Sequence, residues 1–452
     1  MTSSRTFPPG FVWGTAAAAY QIEGAVAEGG RGPSIWDTFS HTPGKVDNDD
    51  TGDIACDHYN RWPGDLDLMA ELGIASYRFS VSWPRVMPDG RTVNAEGVEF
   101  YDRLVDGLLE RGIQPLMTLY HWDLPQALED EGGWLNRDIA DRFTDYALTM
   151  GKAIGDRTPA VTTLNEPWCS AYLGYASGEH APGLTDQRLA YPVAHHLNLA
   201  HGRAVTALRG MMAPETEFSV TLNLHQLESA SDSAEDLAAT RHADGVANRI
   251  FLDPMLRGGY PEDLIEGTSH LTDWSFVHDG DEAEIAAPID FLGVNYYNPA
   301  RIAATGDRNW LGTDRAFGVR IPGPRTIMDW PIVPSGLTDL LVRVHQDYGV
   351  PMMVTENGCA MPDLVGPDGI VHDDDRIAYI DGHLGAILDA VDAGVDMRGY
   401  YVWTFMDNFE WAWGYDKRFG IVHVDYDSQV RTPKDSARWF ESVIRVNALP
   451  PR

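Results

Sequence analysis

Cysteine is scarce in this chain. Its 452 residues hold three, Cys56, Cys169 and Cys359, with no CxxC spacing. An odd, dispersed set excludes a disulfide framework and a thiolate zinc site. Positive charge is scarce as well, with 34 Lys+Arg against 67 Asp+Glu, a formal net charge of -33 at pH 7. A nucleic acid or an anionic membrane requires a basic face, so neither is an expected partner. The acidity reads as a device for solubility or for a salty medium. Lysine is nearly absent, being confined to Lys45, Lys152, Lys417 and Lys434.

Other absences narrow the field further. No apolar run is long enough to span a bilayer. Residues Met1 to Gly10 hold no apolar stretch flanked by basic residues, so no secretory signal is expected and a cytoplasmic setting is. There is no HExxH spacing, no GxGxxG turn after the first apolar run and no low-complexity linker. The expectation is therefore no metal, no cofactor and one uninterrupted domain over 1–452.

What is present is an alternation. Short apolar runs at 11–15, 76–81, 115–120, 160–164, 218–222, 291–295, 352–355 and 399–403 read as strands. Between them, 65–72, 95–111, 137–154, 189–208, 234–251, 337–348 and 374–393 show helical periodicity. Repeated strand–helix units predict a parallel sheet covered by helices. About eight of them in one α/β chain is the arithmetic of a (β/α)8 barrel, with a doubly wound open sheet as the alternative.

The runs end abruptly in polar or aromatic residues: Arg78, His121, Asn165 with Glu166, Asn223, Asn295 with Tyr297, Glu356 and Trp403. In a barrel the C-terminal strand ends converge on one face, where active sites are built. Two carboxylates stand among them. In Thr163-Leu164-Asn165-Glu166-Pro167-Trp168, the proline is expected to hold Glu166 in an extended conformation. In Val354-Thr355-Glu356-Asn357-Gly358, a second strand delivers a glutamate just before a glycine turn. Glycoside cleavage needs such a pair, one carboxyl protonated and one ionised. Read from the residues alone, each could equally be a buried ion-pair partner, and Arg78 could supply the cation.

Sugars present hydroxyls at their edges and C–H groups on their faces, so a sugar site combines bidentate polar groups with flat aromatics. The stretch from Trp403 to Trp413 is dense in both, and Gln21 and His121-Trp122 add candidates. Most of the 14 tryptophans are expected in packing. Trp168, Trp403 and Trp411 stand out beside strand-end polar groups. His195, His196 and His201 fall within a helical stretch and read as packing or surface residues.

Taken in order and spacing, these motifs closely resemble glycoside hydrolase family 1, the β-glucosidase family, from Phe7 to the C-terminal region. The matching pieces are Phe11-Val12-Trp13-Gly14-Thr15, Gln21-Ile22-Glu23-Gly24-Ala25, Tyr77-Arg78-Phe79-Ser80 and His121-Trp122. They continue through Asn165-Glu166-Pro167-Trp168, Asn295-Tyr296-Tyr297, Thr355-Glu356-Asn357-Gly358 and Asn408-Phe409-Glu410-Trp411. The resemblance implies a retaining, exo-acting enzyme that forms a covalent glycosyl-enzyme. It implies Glu166 as acid/base and Glu356 as nucleophile. It places Gln21, His121, Asn165, Glu410 and Trp411 on the non-reducing sugar, Trp403 beneath it, and Arg78, Asn295 and Tyr297 around the nucleophile. Arg78 and Tyr297 would favour ionised Glu356, whose charge would keep Glu166 protonated until glycosylation removes it.

The family's phosphosugar branch carries serine at the position of Glu410 and tyrosine at that of Phe419. A glutamate there would repel a 6-phosphate. The expected substrates are thus small neutral β-glucosides, such as cello-oligosaccharides and aryl glucosides, with some tolerance for β-galactosides or β-fucosides. A 6-phospho-β-glucosidase and a non-catalytic sugar-binding barrel are the alternatives. Asn223, His180 and Trp330 are expected to shape aglycone preference, and Trp413 has no physical account in the sequence.

Overall fold

The computed structural model describes residues 5–310 and 312–450. The extreme ends of the expected 1–452 span lie outside the described residues. Eight strands form a closed barrel: β1 Val12–Ala17, β2 Ser76–Ser80, β3 Gln114–Tyr120 and β4 Ala160–Asn165, followed by β5 Glu217–Asn223, β6 Phe291–Asn295, β7 Met352–Asn357 and β8 Met397–Trp403. Each pairs in parallel with its sequence neighbours, and β8 returns to β1 with Trp403 opposite Ala16. The (β/α)8 barrel expected from the alternation is the fold observed.

The strands read as continuous apolar runs because both of their faces are covered, one by helices and one by the barrel interior. All five residues of β6 are buried, as are all six of β7. Hydroxyl pairs help fill the inside, with Thr162 Oγ1 2.6 Å from Ser219 Oγ and Ser76 Oγ 2.9 Å from the Tyr401 hydroxyl. Glycine appears where such a group crosses the axis: a Cβ on Gly14 would overlap the Tyr401 ring.

Strand boundaries also moved where the site is built. Strand β7 was expected to stop at 355 but runs to Asn357, so Glu356 belongs to the strand itself. The pairing register shifts there, between Val354 and Glu356 on one side and between Val354 and Asn357 on the other. Strand β4 shifts likewise between Thr162 and Asn165. Such irregularities re-aim side chains at the rim of a sheet.

Two helices differ from expectation. The one expected from 65 begins at His58 and carries Pro63 within it. The single helix expected over 234–251 is Ala234–Asp244, a π turn at Gly245–Arg249, then Ile250–Arg257. The extra residue in the π turn lets Asn248 reach Asp244 Oδ1 at 2.7 Å and Arg249 reach Asp244 Oδ2 at 2.8 Å. A periodicity of 3.6 cannot register one inserted residue. Among the described residues no helix is long and apolar enough to cross a membrane.

Three short strands, Leu227–Ser229, Ala300–Ala303 and Phe317–Val319, form a small sheet that the sequence did not announce. They follow the ends of β5 and β6 and carry part of the cavity mouth.

Candidate active site

The C-terminal strand ends surround one cavity of about 650 Å³. Glu166, His121, Asn295, Tyr297, Glu356 and Trp403 line it, together with Glu410 and Trp411. The remaining expected residues, Gln21, Arg78 and Asn165, are buried against this lining rather than on it. All eleven are thereby brought together. The buried Oε1 of Gln21 has no partner, while its Nε2 donates to the Phe409 carbonyl at 2.8 Å and to Glu410 Oε2 at 3.4 Å.

Glu356 is 3% exposed and Glu166 6%. Arg78 Nη1 donates to Glu356 Oε1 at 2.6 Å, and the Tyr297 hydroxyl donates to Oε2 at 2.8 Å. Both readings of Glu356 are therefore satisfied at once: it has an ion-pair partner, and it faces the cavity. A buried ion pair is weak evidence of stability, because desolvation offsets most of the attraction. Its effect here is on charge.

Asn295 connects the two carboxyls. Its amide donates to Glu166 Oε1 at 2.7 Å and also acts on Glu356, favouring the ionised form of each. Thr355 Oγ1 donates to Asn295 Oδ1 at 2.8 Å, which fixes the orientation of that amide.

Burial raises both carboxyls above the usual carboxylate range. For Glu356, Arg78 and Tyr297 oppose that rise. For Glu166, the charge of Glu356 adds to burial and lifts it to about 8. A single proton in the pair therefore resides on Glu166, with Glu356 ionised. Burial, with the nearby Glu356 carboxylate, lifts Glu410 to about 8, and the hydrogen bond from Gln21 pulls it back.

The conformation of Glu166 corrects an expectation. Pro167 does not leave it extended: its φ is +46°, in the left-handed region. Its N–H donates to the Thr221 carbonyl of β5 at 2.9 Å, which holds the turn. Trp122 at +77°, Trp411 at +50° and Asp329 at +57° also line the cavity in this region. Each such residue costs about 1–3 kcal/mol, and such strain gathers at functional sites.

Asn165 Oδ1 accepts from Arg78 Nη2 at 2.5 Å and from Asn295 Nδ2 at 3.1 Å, so its own amide must face His121 Nε2, 3.0 Å away. That ring nitrogen accepts, which places the proton of His121 on Nδ1. Burial, with Arg78 nearby, holds His121 well below its ordinary range and hence neutral. The ring stacks on Trp403 at 5.7 Å and on Trp411 at 5.9 Å. Flat apolar faces and hydrogen-bonding edges thus meet in one place, as a sugar requires.

The structure also supplies what the sequence lacked. Trp413 lines the cavity edge-on to His180, with centroids 6.4 Å apart. Asn223, His180 and Trp330 line it too, Trp330 packing on Tyr297 at 5.3 Å. Cys169 was overlooked as a site residue: its Sγ donates to Glu166 Oε2 at 3.2 Å. Its place three residues after Glu166 was the available signal. His195, His196 and His201 are all buried in the helix Ala190–Arg209, in keeping with the packing reading. Gly358 is required by the close approach of β8, since a Cβ there would overlap the Trp403 carbonyl oxygen.

Comparison with known proteins agrees with this geometry. The description "Glycosyl hydrolase family 1" matches residues 3–449. The chain is 51% identical to the bifunctional β-D-glucosidase/β-D-fucosidase of Bifidobacterium breve, over 97% of this chain and 98% of that one. It is 45% identical to β-glucosidase A of Thermotoga maritima, over 98% and 99% respectively. The solved family 1 β-glucosidase from T. maritima in complex with isofagomine lactam superposes with a TM-score of 0.94 at 45% identity, covering 99% of this chain and 100% of that one.

Proposed function

Because the chain belongs to glycosyl hydrolase family 1, we infer that it is a retaining, exo-acting β-glucosidase of neutral β-glucosides, with Glu166 as acid/base and Glu356 as nucleophile. The observation that carries this reading is the unequal treatment of two buried carboxyls around one amide. Arg78 and Tyr297 hold Glu356 ionised, and the charge of Glu356 keeps the proton on Glu166. Asn295 donates to Glu166 and is the register partner of Glu356 across β6 and β7, which supports the close spacing of a double displacement, about 5–5.5 Å, over the water-holding gap of about 6.5–9.5 Å used for inversion.

In the first step Glu356 attacks the anomeric carbon while Glu166 gives its proton to the departing oxygen. Once Glu356 is esterified its negative charge is gone, and the pKa of Glu166 falls. Glu166 can then take a proton from water as the water attacks the same carbon. Glu410, Gln21, His121 and Asn165 would hold the sugar hydroxyls, and Trp403 and Trp411 its faces.

The absence of a phosphate-binding group at Glu410 supports neutral glucosides such as cello-oligosaccharides, and hence a part in cellulose breakdown. The name of the B. breve relative supports the tolerance for β-fucosides. We read residues 1–452 as one catalytic domain, supported by a core cluster that draws on every barrel strand. The cytoplasmic setting is supported by three cysteines that are buried and unpaired. Proton NMR of the first product tests the mechanism. β-Glucose should appear before mutarotation, and α-glucose as the first anomer would overturn the assignment.

A further inference from the structure

The mouth of the cavity carries a charge that hydrolysis of a neutral glucoside does not use. Three guanidiniums reach it, from Arg308, Arg320 and Arg325. Two of them are committed to one carboxylate. Arg320 Nη1 lies 3.0 Å from Asp329 Oδ2, and Arg325 Nε lies 3.4 Å from Asp329 Oδ1. Arg308 makes no ion pair and no side-chain hydrogen bond among the described residues, although the chain has about twice as many acidic residues as basic ones.

Arg308 is nonetheless held in place by its backbone. Its carbonyl accepts from the Gly318 N–H at 3.2 Å, and the Trp310 N–H donates to the Ala316 carbonyl at 2.8 Å. Asn309 bridges to Phe317 on the short strand between them. The side chain itself is exposed.

Trp168, His225 and Trp310 line the same cavity as Glu166 and Arg308. Trp168, two positions after Glu166, packs against Trp310 with centroids 6.2 Å apart at 32°. His225 stands edge-on to both, at 5.1 and 5.2 Å. A planar leaving group protonated by Glu166 would lie along these rings with its far end toward Arg308. The opposing charge is Glu179, which Arg308 influences without pairing to it.

We propose that this site selects β-glucosides of aromatic alcohols bearing a carboxylate at the end distant from the sugar, with Arg308 receiving that carboxylate. The inference rests on the glucosidase reading above. A guanidinium presents a planar fork that fits a carboxylate, and it is weakly hydrated enough to pair at a surface. The general field of so acidic a chain repels anions, so one uncommitted cation at the mouth confers a preference rather than mere attraction.

The test compares 4-carboxyphenyl with 4-carboxamidophenyl β-glucoside, which differ chiefly in charge, with nitrophenyl β-glucoside as a reference. The wild type should favour the carboxylate in kcat/KM by about fivefold, the scale of an exposed ion pair. The preference should lie in KM and shrink with added salt. In Arg308→Gln it should vanish, while rates on the carboxamide and nitrophenyl substrates are kept. An equal ratio in both proteins overturns the proposal. So does a loss on all three substrates alike in Arg308→Gln, which would make Arg308 and Glu179 a gate. A wild type inactive on nitrophenyl β-glucoside removes the glucosidase reading, and the proposal with it.

Discussion

Asn295 donates its side-chain amide to Oε1 of Glu166 at 2.7 Å. Asn295 is also the register partner of Glu356 on β7, and the charge of Glu356 raises Glu166, so the two carboxyls titrate as neighbours rather than as independent groups. Cys169 donates to the other oxygen of Glu166.

The first expectation concerns pH. With Glu166 as the proposed acid, kcat/KM on a neutral β-glucoside should hold at moderate pH and fall as pH rises through about 8. The Cys169 thiol favours the ionised form of Glu166, so Cys169→Ala should move that basic limb upward. A net hydrogen bond of ~1 kcal/mol corresponds to a shift of somewhat under one pH unit. A limb that stays put or moves down would show that the thiol does not tune Glu166.

With Glu356 as the proposed nucleophile, Glu356→Ala should lower kcat by about 10⁴-fold or more. Circular dichroism and thermal unfolding should show the barrel intact. Substantial residual hydrolysis of nitrophenyl β-glucoside would sink the nucleophile assignment.

Loss of the acid should depend on the leaving group. Glu166→Ala should be slow on poorly leaving alkyl glucosides and much less impaired on a dinitrophenyl glucoside, which departs without a proton. Azide should accelerate turnover of the good substrate and yield β-glucosyl azide. If azide changes neither rate nor product, Glu166 is not the acid/base.

Arg78→Met strips a buried carboxylate of its cation. Leaving a buried partner uncompensated costs about 3–5 kcal/mol, which denaturant unfolding would detect. The same change should raise the pKa of Glu356 further and shift the acid limb of kcat/KM to higher pH. Activity that is needed above that limb would be lost as pH falls. An unchanged acid limb would mean that Arg78 is only structural.

Much of this was legible in the residues. Period and length marked all eight barrel strands, because strands covered on both faces are predominantly apolar. The order of short motifs identified Glu166 and Glu356 as partners, since barrel topology alone brings strand ends from distant sequence to one rim. The π turn at Gly245–Arg249 and the small sheet at the mouth were illegible. The first adds a residue without changing the apolar pattern, and the second uses strands of three or four residues.

The sequence by itself determined the barrel, through its strand–helix alternation, and pointed through its resemblance to a family to the two carboxylates and the residues around them. Only the tertiary structure decided which of the pair keeps the proton. That depends on burial, on the charge of Arg78 from β2 and on hydrogen bonds from Asn295 and Tyr297 at the end of β6, two strands far apart in the chain. It likewise turned Glu166 into a left-handed conformation where Pro167 suggested an extended one. The hydrogen bond to Thr221 in the next strand holds that turn, and no stretch of neighbouring residues records it.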